Sequence, residues 1–168
     1  MLSREIIAIL RGVQPNEVLA IGKTLIDAGI TTIEVPMNSP DALDSIGLLA
    51  REFDAQAAIG AGTVLTAQTV YDVASVGGKL IVSPDTNPDV IEATKAAGMA
   101  SYPGALTPTE CFTALRHGAD GLKFFPGSLV GPDGLKALSA VLPKSTKTYT
   151  VGGAVPDSFA DWLEAGVT

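Results

Sequence analysis

The sequence has 168 residues, of which 46% are hydrophobic and 17% charged, and its formal net charge is −7 at pH 7. This acidic balance argues against nucleic acid and anionic membranes as partners. A single cysteine, Cys111, and a single histidine, His117, exclude an internal disulfide and a His/Cys metal cluster, so we expect no metal site and no cofactor. We interpret the protein as cytoplasmic, because its most suggestive apolar run, residues 6–10, is too short for a membrane span or a signal peptide.

Prolines and glycines recur in a regular order along the chain. A proline follows each of six loops and opens a helical pattern, at the first helical position, where no N–H is needed. These prolines are Pro15, Pro40, Pro88, Pro108, Pro132 and Pro156. Ser39, Asn87 and Thr107 precede three of them as expected N-caps. Glycines then stand where five helices are expected to end, at Gly29, Gly77, Gly98, Gly118 and Gly166.

In chain order, this punctuation predicts seven strand–helix units. Strands are predicted at residues 6–10, 31–35, 57–61, 79–82, 100–102, 120–124 and 147–151. Helices are predicted at residues 15–28, 40–53, 66–76, 87–97, 107–117, 132–141 and 156–165. Strict alternation of strands and helices predicts a parallel sheet, so we expect an α/β fold in which residues 1–168 form one domain.

Two α/β architectures satisfy this alternation, a doubly wound open sheet and a (β/α)8 TIM barrel. Glu34 and Lys123 each stand between two apolar residues inside a predicted strand. Because side chains alternate along a strand, the apolar neighbours would face the helices and the charged groups the opposite side. In a barrel that side is the interior, whose C-terminal end carries the active site, so the pattern favours the barrel.

The last residues of the sequence repeat the pattern found between the first predicted helix and the second predicted strand. Residues 164–168 have the helix-end, glycine and strand-start pattern of residues 27–31. A barrel of seven strands would leave two strand edges unpaired. We therefore expect the eighth βα unit, which is missing from this sequence, to follow in the natural protein.

Lys123 is the first candidate for chemistry. Burial in an apolar strand lowers the pKa of a lysine toward the neutral amine. A neutral amine is the nucleophile that attacks a ketone to form an imine. The alternative is a lysine that only extends its ammonium group past the end of the strand.

Glu34 is the second candidate, because imine chemistry needs a group that removes and returns protons. One carboxylate beside one lysine can serve as both general acid and general base. The alternative is a structural ion pair between Glu34 and Lys123, since a buried carboxylate is costly unless it is paired.

Three further segments carry candidate ligand-binding residues. Thr63 follows a run of small residues that would let the backbone approach a ligand. Gly152 and Gly153 follow the seventh predicted strand, where barrels often bind phosphate through backbone N–H groups. Arg11, after the first predicted strand, could pair with a carboxylate or phosphate, or could be an ordinary surface arginine.

Five segments together resemble the KDPG/KHG aldolase family. They are residues 7–12 (Ile-Ala-Ile-Leu-Arg-Gly), 33–40 (Ile-Glu-Val-Pro-Met-Asn-Ser-Pro), 59–64 (Ile-Gly-Ala-Gly-Thr-Val), 122–126 (Leu-Lys-Phe-Phe-Pro) and 151–153 (Val-Gly-Gly). The resemblance implies a homotrimeric, metal-independent class I aldolase on a (β/α)8 barrel. It implies that Lys123 forms the Schiff base and that Glu34 is the general acid and base. The implied substrate-binding residues are Arg11, Thr63, Gly152, Gly153 and Ala154.

Within the family, the sequence more closely resembles the branch that acts on 2-dehydro-3-deoxy-6-phosphogalactonate. Val151 stands where the gluconate branch usually has a threonine, and valine cannot hydrogen-bond a substrate hydroxyl, which fits an altered preference at C4. The expected reaction is reversible cleavage of this phosphorylated keto-deoxy sugar acid to pyruvate and glyceraldehyde 3-phosphate. The alternatives are the gluconate epimer as substrate, a pyruvate aldolase with carboxylate-bound Mg²⁺, and a phosphosugar-binding barrel without activity.

Overall fold

The computed structural model describes residues 5–168, in which strands and helices alternate. The first half of the chain contains β1 (Ile7–Ile9), α1 (Pro15–Asp27), β2 (Thr32–Pro36), α2 (Ala42–Phe53), β3 (Ala58–Gly62), α3 (Ala67–Ser75) and β4 (Leu80–Val82). The second half contains α4 (Pro88–Ala96), β5 (Ala100–Tyr102), β6 (Gly104–Ala105), α5 (Pro108–Arg116), β7 (Gly121–Phe124), α6 (Gly127–Ser139), β8 (Lys147–Thr150) and α7 (Phe159–Glu164). A 3₁₀ turn, Pro156–Ser158, precedes α7.

All strand pairs in the described residues are parallel, which confirms the predicted α/β class. One sheet has the order β1-β2-β3-β4-β5 and the other the order β6-β7-β8. Two backbone hydrogen bonds of 2.9 Å link the sheets, from Asp120 N–H to Ser101 O and from Lys123 N–H to Pro103 O. The β7 strand therefore lies beside β5 as well as β6.

The strand predicted at residues 100–102 is confirmed as β5, and a second short strand that was not predicted, β6, follows it. The segment continues as β6, and Pro103 separates the two pieces. Proline has no N–H to donate to a neighbouring strand, so the ladder is interrupted at this residue. Its carbonyl group still accepts a hydrogen bond from Lys123 N–H.

The core lies between the strands and the helices. Ile33 and Val35 of β2 are fully buried in one apolar cluster, and Leu122 and Phe124 of β7 are fully buried in a second. Burial of each such side chain contributes about 1.5–3 kcal/mol to folding. The apolar neighbours of the two charged strand residues thus face the helices, as the two-residue period predicts.

Most of the predicted helix ends are confirmed, but the start of α2 is not. Asn87 caps α4, and Thr107 caps α5 in a capping box with Glu110. The predicted cap Ser39 and first helical residue Pro40 are wrong for α2, which begins two residues later, at Ala42. The reason is that the Ser39 hydroxyl instead accepts a hydrogen bond from the backbone of the β1–α1 loop.

Helix α6 also begins earlier than predicted, at Gly127 rather than at residue 132. Gly131 interrupts it with a φ of 64° and a ψ of 166°, so a first short turn precedes the helix that Pro132 opens. The N–H groups of Gly127 and Ser128 donate to carbonyl oxygens of the loop after β8, at 2.7 Å each, which holds this first turn in place. No helix among residues 5–168 is long and apolar enough to cross a membrane.

Candidate active site

A cavity of about 370 Å³ lies on the inner side of the strands and extends to α7, where Phe159, Trp162 and Leu163 line part of its wall. It extends from Glu5, before β1, to Ala154, beyond β8. Residues from β1, β2, β4, β5, β7 and β8 line it, and so does the loop after β8; its wall includes Glu34, Val82, Tyr102, Lys123, Tyr149 and Val151. The alternating direction of strand side chains brings these residues to one space although they are far apart in the sequence.

Lys123, on β7, has a side chain that is almost completely buried at this cavity. Burial lowers its pKa; the charge of Glu34 opposes this shift, and the charge of Arg11 adds to it. Its Nζ atom lies 5.1 Å from the centre of the Phe125 ring. The amine is therefore more readily neutral than that of a lysine in water, as nucleophilic attack requires.

Glu34, on β2, is 2% exposed and faces the same cavity. Its Oε2 atom has no hydrogen-bond partner among the described residues. Burial raises the pKa of its carboxyl group to about 7, and the charges of Lys123 and Arg11 limit the rise. A carboxyl group with this pKa exists in both protonation states near neutral pH and can both accept and donate a proton.

Glu34 and Lys123 share the cavity without forming a close ion pair. Among the ion pairs of 4.0 Å or less in residues 5–168, none joins these two side chains. The structural ion pair that was the alternative interpretation of the sequence is thus not formed at contact distance. Each group shifts the pKa of the other through its charge, and both remain free to meet a ligand.

Gly62 makes the room that the Glu34 carboxylate occupies, a role that the sequence did not indicate. A Cβ atom at Gly62 would overlap the carboxyl group of Glu34. The small residues before Thr63, which form the end of β3, were expected to let a ligand approach the backbone. In the structure, the missing side chain of Gly62 instead leaves space for the carboxyl group of Glu34 on the neighbouring strand.

We expect Gly62→Ala to lower kcat by about 10²-fold or more, because the added methyl group displaces the carboxylate from its proton-transfer position. The measurement is steady-state kinetics together with a thermal unfolding curve. Gly134→Ala is the control: it adds the same group in α6, where the nearest atom would be 3.2 Å away. A Gly62→Ala variant with unchanged kcat would show that the position of Glu34 is not critical.

The loop after β8 contributes three of the predicted binding residues to the cavity. Val151, Gly152 and Ala154 line it, and Gly153 lies outside the lining and packs against Ser128. Gly152 and Gly153 have φ values of 81° and 98°, a left-handed conformation that glycine adopts without strain. The consecutive glycines therefore turn the chain sharply back toward α6.

Two predicted binding residues, Arg11 and Thr63, lie outside the cavity lining of the described residues. Arg11 is exposed after β1, and its Nη1 atom donates a hydrogen bond of 2.7 Å to Asn38 Oδ1. Thr63 follows β3 with a φ of 57° and is partly buried. Arg11 nevertheless follows the lining residue Ile9 by two positions and is bonded to the segment after Glu34, and its charge contributes to the pKa values of both Glu34 and Lys123.

Two tyrosines in the cavity were not singled out in the sequence. Tyr102 and Tyr149 pack edge to face, with ring centres 5.4 Å apart. The Tyr149 hydroxyl donates a hydrogen bond of 2.6 Å to Glu5, which also pairs with Lys147 at 2.7 Å. The two-residue period would have pointed to Tyr149, which lies on β8 two positions before the predicted binding residue Val151.

The single cysteine and the single histidine belong to the helices. Cys111 is fully buried in α5, and burial raises the pKa of its thiol to about 11. His117 ends the same helix, and its Nδ1 atom lies 2.7 Å from Glu92 Oε1. Among residues 5–168, no three histidine, cysteine or acidic side chains come together as a metal-binding group.

Comparison with known proteins relates the chain to one family of enzymes. The chain is 45% identical over 161 residues to the 2-dehydro-3-deoxy-6-phosphogalactonate aldolase of Escherichia coli, which covers 96% of this chain and 78% of the relative. The solved native KDPGal structure has 45% sequence identity and a TM-score of 0.94, and the match covers 96% of this chain and 78% of that one.

A KDPG aldolase from Legionella pneumophila, solved with pyruvate captured as a covalent carbinolamine intermediate, is 27% identical with a TM-score of 0.87. That match covers 96% of this chain and 78% of the other. The family model for KDPG and KHG aldolases matches residues 1–168. The chain therefore belongs to the KDPG and KHG aldolase family.

Proposed function

We propose that this protein is a class I aldolase that reversibly cleaves 2-dehydro-3-deoxy-6-phosphogalactonate to pyruvate and glyceraldehyde 3-phosphate. The observation that carries the proposal is the presence of the Lys123 and Glu34 side chains in one cavity, where burial lowers the pKa of the lysine and raises that of the glutamate. Groups so perturbed by desolvation are typical of catalytic sites. The substrate is supported by the name of the 45% identical relative from Escherichia coli.

In the proposed mechanism, Lys123 forms the covalent intermediate. Its neutral amine attacks the C2 ketone of the substrate, and the carbinolamine takes up a proton and loses water to give a protonated imine; this proton is released again when the final imine is hydrolysed. When the C3–C4 bond breaks, its electron pair forms the C2–C3 double bond of an enamine and neutralises the positive charge on the imine nitrogen. The buried setting of Lys123 favours the neutral amine that starts this sequence.

Glu34 moves the protons. The ionised carboxylate accepts the proton of the C4 hydroxyl as the C3–C4 bond breaks, which releases glyceraldehyde 3-phosphate. The carboxylic acid so formed then returns a proton to C3 of the enamine, and water hydrolyses the resulting imine to pyruvate and free Lys123. A pKa of about 7 suits a group that must take up and release a proton in one cycle.

The ends of the substrate are assigned to the loops that follow the strands. We propose that Thr63 orients the pyruvate carboxylate and that Arg11 supplies a positive charge to an anionic group. The backbone of Gly152, Gly153 and Ala154 is assigned to the phosphate. Gly152 and Ala154 reach the cavity from the loop after β8, which supports their part of this assignment.

Val151 carries the proposed preference for the galactonate epimer, because its side chain lines the cavity and cannot hydrogen-bond a hydroxyl. The natural protein is expected to cleave the galactonate epimer with the higher kcat/KM. Val151→Thr should raise the kcat/KM of the gluconate epimer relative to the galactonate one by about 5- to 30-fold, the effect of one hydrogen bond of about 1–2 kcal/mol. A coupled assay of glyceraldehyde 3-phosphate with both epimers measures the two ratios.

Each alternative function has its own outcome in that assay. Val151→Ala removes bulk without adding a hydroxyl, and it should leave the ratio of the two epimers closer to the natural value. A protein that prefers the gluconate epimer before any substitution would replace the proposed substrate. Activity abolished by EDTA would point to a metal-dependent pyruvate aldolase, and binding without cleavage would point to a phosphosugar-binding protein.

The proposal includes a (β/α)8 barrel that forms one domain. In this barrel, one further βα unit after α7 supplies the strand that closes the ring. Backbone bonding beyond β8 supports it: Thr168 N–H donates to Thr148 O at 2.9 Å, so the chain after α7 already pairs beside β8. Glu5 reaches Lys147 and Tyr149 across the same side of the cavity. A strand placed between β8 and β1 would pair both edges and close the cavity wall.

The homotrimer and the cytoplasmic location also belong to the proposal. Several large apolar side chains are exposed, and covering such groups commonly stabilises contacts between subunits. The most exposed are Leu65, Leu129, Val141 and Val155. A phosphorylated substrate is charged and does not cross a lipid bilayer unaided, which favours an enzyme in the compartment where the substrate is made.

A further inference from the structure

The loops after β1 and β2 are fastened to each other around Arg11. Arg11 Nη1 donates to Asn38 Oδ1 at 2.7 Å, and the N–H of the next residue, Gly12, donates to the Ser39 hydroxyl at 2.9 Å. The backbone of Leu10 is bonded to Glu34 O at 2.9 Å. Both the side chain and the adjoining backbone of Arg11 are therefore held by the segment that follows Glu34.

The partner of Arg11 is a neutral amide and not a carboxylate. Among the ion pairs of residues 5–168, none includes Arg11. The amide oxygen of Asn38 fixes the direction of the guanidinium group and leaves its positive charge uncompensated. That charge is felt inside the cavity, where it lowers the pKa of both Glu34 and Lys123.

We propose that Asn38 is a positioning residue that holds Arg11 beside the cavity as an uncompensated cation for an anionic group of the substrate. This inference rests on the proposed aldolase function and adds a second residue to its anion-binding element. The geometry defines the ligand group as a carboxylate or a phosphate, either of which the planar guanidinium group binds with two hydrogen bonds. A carboxylate at position 38 would bind Arg11 itself and compete with the substrate.

Two substitutions of Asn38 separate the orientation of the Arg11 side chain from the compensation of its charge. Asn38→Ala frees the Arg11 side chain and should raise KM by about 5-fold, the effect of one lost hydrogen bond to a charged group at an exposed position. Asn38→Asp keeps the acceptor oxygen but neutralises Arg11 and should raise KM by about 10-fold or more. We expect the change in KM to exceed the change in kcat in both, because both variants keep the Lys123 and Glu34 side chains and affect their pKa values only through the charge of Arg11.

A double-mutant cycle with Arg11→Ala tests whether Asn38 acts through Arg11. In the Arg11→Ala protein, Asn38→Ala and Asn38→Asp should leave KM within about 2-fold of the single Arg11→Ala variant. Gln56→Glu is the control for net charge: it makes the same charge change at an exposed position before β3, and its KM should match that of the natural protein. Equal KM effects of Asn38→Asp with and without Arg11 would overturn the inference, as would an unchanged KM.

The choice of substrate distinguishes the two anionic groups. Methyl-proton exchange of pyruvate, which has a carboxylate and no phosphate, is measured beside cleavage of the phosphorylated sugar acid. A raised KM in both assays assigns Arg11 to the carboxylate, and a raised KM in cleavage alone assigns it to the phosphate; either result supports a role for Asn38. The aldolase proposal is tested separately by covalent trapping of pyruvate at Lys123, which does not depend on Asn38.

Discussion

Lys123→Arg is expected to abolish cleavage, with kcat/KM lowered by about 10⁴-fold or more. The guanidinium group keeps the positive charge of the lysine but remains protonated throughout the accessible pH range, so it cannot attack a ketone. Incubation of the natural protein with pyruvate and borohydride should add one reduced pyruvyl group, located at Lys123 by mass spectrometry of peptides. The same treatment should leave Lys123→Arg unlabelled.

Lys95→Arg is the matched control for this experiment. Lys95 pairs with Asp120 at 2.6 Å on the outer surface, where an arginine can keep the ion pair. Its kcat/KM and its labelling at Lys123 should equal those of the natural protein. A pyruvyl group found on Lys95 or on another lysine would assign the nucleophile elsewhere, and full activity of Lys123→Arg would refute Schiff-base catalysis at this position.

The order of strands and helices could be predicted because local chemistry determines it. Proline at helix starts and glycine at helix ends act within a few residues, and the predicted helix-end glycines adopt positive φ values between 73° and 104°. The direction of Glu34 and Lys123 also followed from local sequence, because alternation along a strand needs no knowledge of its neighbours. These features were confirmed where the structure describes them.

The contacts between distant segments could not be predicted, because they depend on how neighbouring strands are aligned. Gly62 makes room for Glu34 only because Pro36 pairs with Gly62 in the register of β2 and β3. Arg11 and Asn38 are 27 positions apart, and Tyr149 and Glu5 are 144 positions apart. Hydrogen bonds over such separations depend on how the fold brings the loops together, and no local pattern in the sequence records them.

Local exceptions account for the wrong helix starts. Ser39 has the residue type of an N-cap, but its hydroxyl is bonded to Gly12 N–H, so α2 begins after Asp41. A cap residue that finds a distant partner no longer marks the first turn of its own helix. The hydrogen bond from Gly12 N–H to Ser39 also holds the Arg11 loop against the segment after Glu34. The residue that was wrongly predicted as a helix cap therefore lies within the candidate site.

Glu34→Gln is expected to retain slow trapping of pyruvate and to lose proton transfer. The amide has nearly the shape of the carboxyl group but cannot accept a proton from carbon or oxygen in the reaction. Exchange of the pyruvate methyl protons with deuterated water, followed by NMR, should slow by about 10²–10⁴-fold. Glu17→Gln, at an exposed position in α1, makes the same change outside the cavity and should leave the exchange rate unaltered.

The pH dependence gives this prediction a second measurement. In the natural protein, kcat/KM should rise as the pH increases through about 7, because cleavage needs the ionised form of Glu34. The neutral form of Lys123 also becomes more abundant as pH rises. The two groups together therefore determine the rise of kcat/KM on the acid side of the pH profile. In Glu34→Gln, the residual kcat/KM should no longer rise near pH 7. A rise that persists unchanged in this variant would come from the ionisation of another group.

Stability should show the opposite dependence on pH, because burial opposes the ionised form of Glu34. The folded carboxyl group, with a pKa raised from 4.5 to about 7, binds its proton more strongly than the unfolded one. The free energy of unfolding therefore falls as pH rises from 4.5 to 7 and stays lower above 7, by about 3 kcal/mol for this group. Denaturant unfolding of Glu34→Gln should lack this decrease, so its stability relative to the natural protein should improve between pH 4 and pH 8. An equal pH dependence in both proteins would mean that Glu34 ionises without cost and is solvated in the folded state.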